Sequence, residues 1–173
     1  HYMGLDSSEY AIARHGARRN LHWLPFGDLA ALPPIKPVDL LVCSDVMHYL
    51  SDEELKRGLA EFARLCDGVA FLEVFAEGDE IVGDLHEMRR RPAAWYRRAF
   101  ARAGFTAVGS HSYLSAPVAA AAEREAAGLD PGARGGHVRQ RPACPADAAT
   151  RSPVGVVAAN AGDCFLRHAG QAW

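Results

Sequence analysis

A chain of 173 residues supplies one domain's worth of material, enough to bury a single sizeable core. Hydrophobic residues make up 49% and charged residues 23%, which excludes a wholly disordered or fibrous protein. The formal net charge of −2 lacks the basic surplus that phosphate binding brings, so nucleic acid is not expected as a partner.

No apolar run approaches the roughly 20 residues needed to span a bilayer, and no membrane association is expected. Nothing in the first residues reads as a basic-then-apolar secretory leader. Cys43, Cys66, Cys144 and Cys164 are scattered and form no C-x-x-C pair. Cys43 lies in an apolar run, where a buried reduced thiol is the ordinary state, so a cytoplasmic location is expected. The His, Asp and Cys residues show no metal-ligand spacing, and no metal is expected.

Short apolar runs alternate with helical patterns from residue 1 to about 114, the mark of βαβ units. Strands are predicted over residues 2–5, 21–24, 38–43, 69–75 and 105–114. The opening His1-Tyr2-Met3-Gly4-Leu5-Asp6 reads as the end of a strand, so the expectation is a domain that lacks its first strand. The runs at 38–43 and 69–75 are almost continuously apolar, which suits interior strands covered on both faces. A helix is predicted over residues 7–19, with Asp6 and Glu9 at capping-box spacing. Ser51 and Glu54 repeat that spacing ahead of Leu55, Leu59, Phe62 and Leu65, which share one helical face, and Gly68 is read as the stop. Pro92 suits the first turn of a further helix carrying Trp95, Ala99 and Phe100, closed by Gly104.

After Leu114 the composition turns to Ala, Gly, Arg and Pro. Residues 1–115 are therefore read as the domain and 116–173 as a tail of low order. A short helix is possible over residues 116–127, and Val154-Gly155-Val156-Val157 is the later strand-like run. An out-of-frame translation of a GC-rich gene is the favoured source of this tail.

In an open α/β sheet, ligands lie outside the C-terminal ends of the strands, so acids just after strands are the informative ones. Asp6, Asp28 and Asp45 sit there. A carboxylate offers two oxygens, enough to accept both hydroxyls of a ribose. Asp28, after Gly27, could accept from an adenine amino group with Leu29 beside the ring. His48 and His86 are candidate bases, and Arg89-Arg90-Arg91 could hold an anionic substrate.

Three segments in order resemble the class I S-adenosylmethionine-dependent methyltransferases. They are Tyr2-Met3-Gly4-Leu5-Asp6-Ser7-Ser8, then Phe26-Gly27-Asp28-Leu29-Ala30-Ala31-Leu32-Pro33, then residues 38–50 from Val38-Asp39-Leu40 through Cys43-Ser44-Asp45-Val46-Met47-His48-Tyr49-Leu50. The resemblance covers roughly residues 2–114. It implies a Rossmann-like three-layer α/β sandwich with a mostly parallel sheet, incomplete at the N-terminus. It also implies S-adenosylmethionine as cofactor and methyl transfer to an O or N atom of a small molecule. Asp6, with Ser7, would hold the ribose; Asp28 and Leu29 would contact adenine; Ser44, Asp45, Val46 and His48 would line the methionine end and the substrate entrance. The family's glycine-rich loop after its first strand has no counterpart in the sequence, so weak cofactor binding is expected.

Two other classes share these features. A nicotinamide-dependent oxidoreductase also places an acid after its second strand, although no Tyr-x-x-x-Lys pair is present. An inactive remnant or binding module could keep the fold without the cofactor.

Overall fold

The computed structural model describes residues 2–81 and 86–128. Among them the architecture is α/β, in the order β1 (Gly4–Asp6), α1 (Glu9–Arg19), β2 (Leu21–Trp23), β3 (Val38–Cys43), α2 (Asp52–Leu65), β4 (Cys66–Leu72), α3 (Ala93–Arg102), β5 (Phe105–Ala107), β6 (Ser112–Ser115) and α4 (Ala116–Gly128). A 3-10 turn over Phe26–Ala31 follows β2.

The strands form two sheets. β1 pairs with β2 in parallel, and the second sheet runs β3-β4-β6-β5. In it β3 and β4 are parallel, whereas β4/β6 and β6/β5 are antiparallel. The sheet expected to be mostly parallel is thus mixed. The cause lies in the run 105–114, expected as one strand. The chain reverses within it: Val108 N–H and Gly109 N–H both donate to the Ser112 carbonyl, and a hairpin replaces the single strand.

Local chemistry sets several boundaries away from their predicted places. Ser8, not Asp6, caps α1 by accepting from Ala11 N–H, and Asp6 instead accepts from Ser8 N–H at 2.8 Å. The Ser51–Glu54 capping box forms as expected, with both reciprocal bonds present. Helix α2 stops at Leu65, and the chain passes directly into β4, so Gly68 lies inside a strand rather than at a helix end. It is needed there. The register slips between Val38 and Leu40, bringing the strands so close that a Cβ on residue 68 would lie 1.9 Å from the Asp39 carbonyl oxygen. Gly68→Ala must force β3 and β4 apart, and the expected loss is about 1–3 kcal/mol of unfolding free energy in urea titrations. A variant as stable as the parent would contradict this packing.

One hydrophobic core joins the pieces. It includes Leu5 from β1, Phe26 and Leu29 from the 3-10 turn, Leu41 from β3, Leu55 and Phe62 from α2, and Tyr96 and Phe100 from α3. Phe26 meets Phe62 edge-on at 5.3 Å between ring centroids, and α2 can approach the turn because position 58 is glycine. Burying each such ring stabilises the fold by about 1.5–3 kcal/mol. The second sheet is buried on the face carrying Leu41, Cys43, Ala70, Leu72 and Tyr113. On the other face Leu40 is 41% and Val69 38% exposed, so the expected cover on both faces is incomplete among the described residues.

Helix α4 packs against β4 and β6, where the sequence allows a short helix over residues 116–127. The remainder of the 116–173 segment, including 154–157, lies outside the described residues. Among the described residues, no helix is long and apolar enough to cross a membrane.

Candidate functional site

Strand β1 ends on Asp6, which is 8% exposed. Burial pushes its carboxyl pKa up, and the backbone N–H groups of Ser8 and Ser7 pull against that shift. Asp28 is exposed on the 3-10 turn, while Leu29 beside it is 1% exposed and belongs to the core. Leu29 therefore packs the protein interior, and its carbonyl accepts from Leu32 N–H and from the guanidinium of Arg64.

The segment after β3 is the more unusual one. Asp45 holds a left-handed backbone (φ 58°), a conformation that L residues other than glycine seldom adopt. Its Oδ1 is buried and has no hydrogen-bond partner among the described residues. Ser44 Oγ donates to Glu73 Oε2, which links the ends of β3 and β4. Asp45 titrates above the ordinary carboxylate range, because burial disfavours its charge and Glu73 adds like-charge repulsion.

His48 is fully buried between the rings of Tyr49 (4.4 Å) and Phe75 (5.1 Å). Phe75 N–H donates to its Nδ1 at 3.4 Å, which puts the proton of the neutral ring on Nε2. That Nε2 has no partner among the described residues. Burial pulls the His48 pKa down to about 4, with Glu73 opposing and Arg91 reinforcing the shift. A neutral imidazole whose accepting nitrogen is already engaged is poorly placed to act as a base near pH 7. His86 lies exposed in the turn that begins the 86–91 segment.

A cavity of about 610 Å³ connects three post-strand segments. Ser7 lines it after β1, Pro25 to Gly27 after β2, and Val46, Tyr49 and Leu50 after β3; Glu54, Glu87, Met88 and Arg89 complete the wall. Its size falls within the range of about 300–1,000 Å³ typical of small-molecule sites. The predicted site residues thus divide. Ser7 lines the cavity, Asp6 and Asp28 are the immediate neighbours of lining residues, and Ser44, Asp45 and His48 belong to the adjoining polar cluster.

Sequence reasoning passed over two contributors. Tyr49 reads as a packing residue but lines the cavity. Glu73 had a visible signal, being the one acid in the apolar run 69–75. Arg91, with Arg89 and Arg90, is expected from the sequence to hold an anionic substrate. It is in fact 6% exposed and holds the carbonyls of Leu50 and Met47.

Among the described residues, no group of three or more His, Cys, Asp or Glu side chains is placed to hold a metal ion. Neither the family models, nor the curated proteins, nor the solved structures contain a match to this chain.

Proposed function

We propose that this chain carries the nucleoside-binding part of a Rossmann-like class I methyltransferase, using S-adenosylmethionine to methylate an O or N atom of a small molecule. The observation that carries this reading is the cavity shared by the segments following β1, β2 and β3. β1 and β2 run parallel in one sheet and β3 and β4 in the other, and open α/β sheets bind their ligands outside the carboxyl ends of such strands.

The residues fit a nucleoside in kind. Pro25 and Tyr49 offer apolar and aromatic surface for a base, backed by the buried Phe26 and Val46, and Ser7 offers a hydroxyl beside the Asp6 carboxylate. The buried Asp45 Oδ1, without a hydrogen-bond partner among the described residues, is an acceptor next to the same segment. When bound, the cofactor would supply an activated methyl group. This chain's own residues would orient the two reactants and exclude water. His48 is left out of any proton transfer, because its Nδ1 is occupied and its conjugate acid is too strong. Asp28 would reach a ligand only by extending from its exposed turn.

Titration with S-adenosylhomocysteine, followed by amide chemical shifts, tests the proposal. Shifts should concentrate at Ser7, Gly27, Val46 and Tyr49, and Ser7→Trp, which intrudes on the cavity from its rim, should abolish them. Unperturbed amides at millimolar ligand would sink the reading. Shifts at the same amides with a nicotinamide dinucleotide alone would favour the oxidoreductase instead.

A further inference from the structure

We infer that Arg91 is the positioning residue of the cavity, fixing the wall formed by Val46, Tyr49 and Leu50 without itself touching a ligand. The inference rests on the nucleoside reading of that cavity. Arg91 Nη2 donates to the Leu50 carbonyl at 2.6 Å, and Nη1 donates to the Met47 carbonyl at 3.4 Å and to the Tyr96 hydroxyl at 3.2 Å. Nε donates to Asp52 at 2.9 Å, and the guanidinium stacks 4.9 Å from the centre of the Trp95 ring. Each nitrogen of the planar fork is therefore used, and the side chain has one orientation in which all of these bonds form.

The geometry matters because of where Arg91 sits in the chain. It closes the segment whose Glu87, Met88 and Arg89 line the same cavity as the 46–50 wall. A second link, from Arg89 N–H to the His48 carbonyl at 2.8 Å, joins the same two segments. The walls are thus tied to each other by backbone carbonyls of residues 47, 48 and 50. Carbonyls that point at a buried guanidinium cannot swing toward the cavity, so the side chains of Val46, Tyr49 and Leu50 keep their spacing. A lysine has three donors on a flexible stem and cannot span Leu50, Met47 and Asp52 together.

Two variants separate positioning from plain stability. Arg91→Lys keeps the charge and should weaken S-adenosylhomocysteine roughly tenfold or more at a temperature where circular dichroism shows it folded. Amide hydrogen exchange should rise selectively at residues 46–50. Tyr96→Phe removes an Arg91 contact outside that wall and leaves those to Leu50, Met47 and Asp52 in place. It should lower the melting temperature while leaving affinity unchanged. Affinity of Arg91→Lys within twofold of the parent, or faster exchange spread evenly over α3 and the second sheet, overturns the inference. Should Arg91→Lys fail to fold, Trp95→Leu, which frees the guanidinium from its stacking partner, must show the same local exchange and weaker binding, and parental behaviour there overturns it. Failure of the parent chain to bind the nucleoside would fall on the proposed function alone, since the exchange readout tests Arg91 without ligand.

Discussion

Acidification from pH 6.5 to 4 should cost the folded protein about 3 kcal/mol through His48 alone. An unfolded histidine takes up its proton near pH 6.5, whereas burial between Tyr49 and Phe75 delays protonation of His48 to about pH 4. Between those values the unfolded chain holds a proton that the folded chain does not, so added acid favours unfolding. Above pH 6.5 neither state is protonated and the stability is complete; below 4 both are and no more is lost. Asp6 and Asp45 work in the opposite direction, because their raised pKa values let the folded state take up protons before the unfolded one. The comparison must therefore be made between variants. His48→Gln retains an acceptor for Phe75 N–H and removes the titration. Urea midpoints at pH 7, 5 and 4 should converge between parent and variant as the pH falls. Parallel curves would show that His48 is protonated in the folded protein at an ordinary pKa.

The elements legible in the sequence were those whose signal is local. Helix α2 followed from Ser51, Glu54 and the stripe Leu55, Leu59, Phe62 and Leu65, because capping and a single buried face are properties of one segment. Strand β3 followed from its apolar run. What failed was what depends on partners. Residues 105–114 read as one strand because Val108 and Tyr113 are good strand formers. The reversal between them is set by β6 pairing antiparallel with β4. Gly68 read as a helix stop, and only the approach of the Asp39 backbone explains it inside β4.

The candidate site divides along the same line. Asp6, Asp28 and Asp45 could be placed after strands because position in the chain is enough for that. Whether a side chain faces a cavity, the core or water is not a property of its neighbours in sequence. Leu29 went to the core because Phe26 and Phe62 meet beside it, and His48 went there because Phe75 arrives from another strand's end. Glu73 and Ser44 stand 29 residues apart and meet only because β3 and β4 are adjacent.

Arg91→Met should be the most damaging single substitution in the 86–91 segment, with an expected loss of about 3–5 kcal/mol. Electrostatic attraction to Asp52 is not the main reason. The Asp52 side chain is 47% exposed, so water screens the 2.7 Å ion pair and Asp52→Asn should cost no more than about 1 kcal/mol. The cost lies in what methionine cannot replace. The Leu50 carbonyl loses its 2.6 Å donor, the Met47 carbonyl loses its weaker one, and the buried Tyr96 hydroxyl loses the guanidinium beside it. An orphaned buried acceptor costs roughly 1–3 kcal/mol, and two or three of them accumulate because no solvent reaches the space. Methionine fills much of the volume and keeps contact with Trp95, so lost packing contributes little to the difference. Against a total stability of about 5–15 kcal/mol for an ordinary domain, such a loss brings the folded state close to its limit. Guanidinium is unsuitable as denaturant here because it mimics the missing side chain, so urea unfolding is the measurement. A loss below 1 kcal/mol for Arg91→Met, or equal losses for Arg91→Met and Asp52→Asn, would mean that the ion pair and not the carbonyl clamp is what Arg91 contributes.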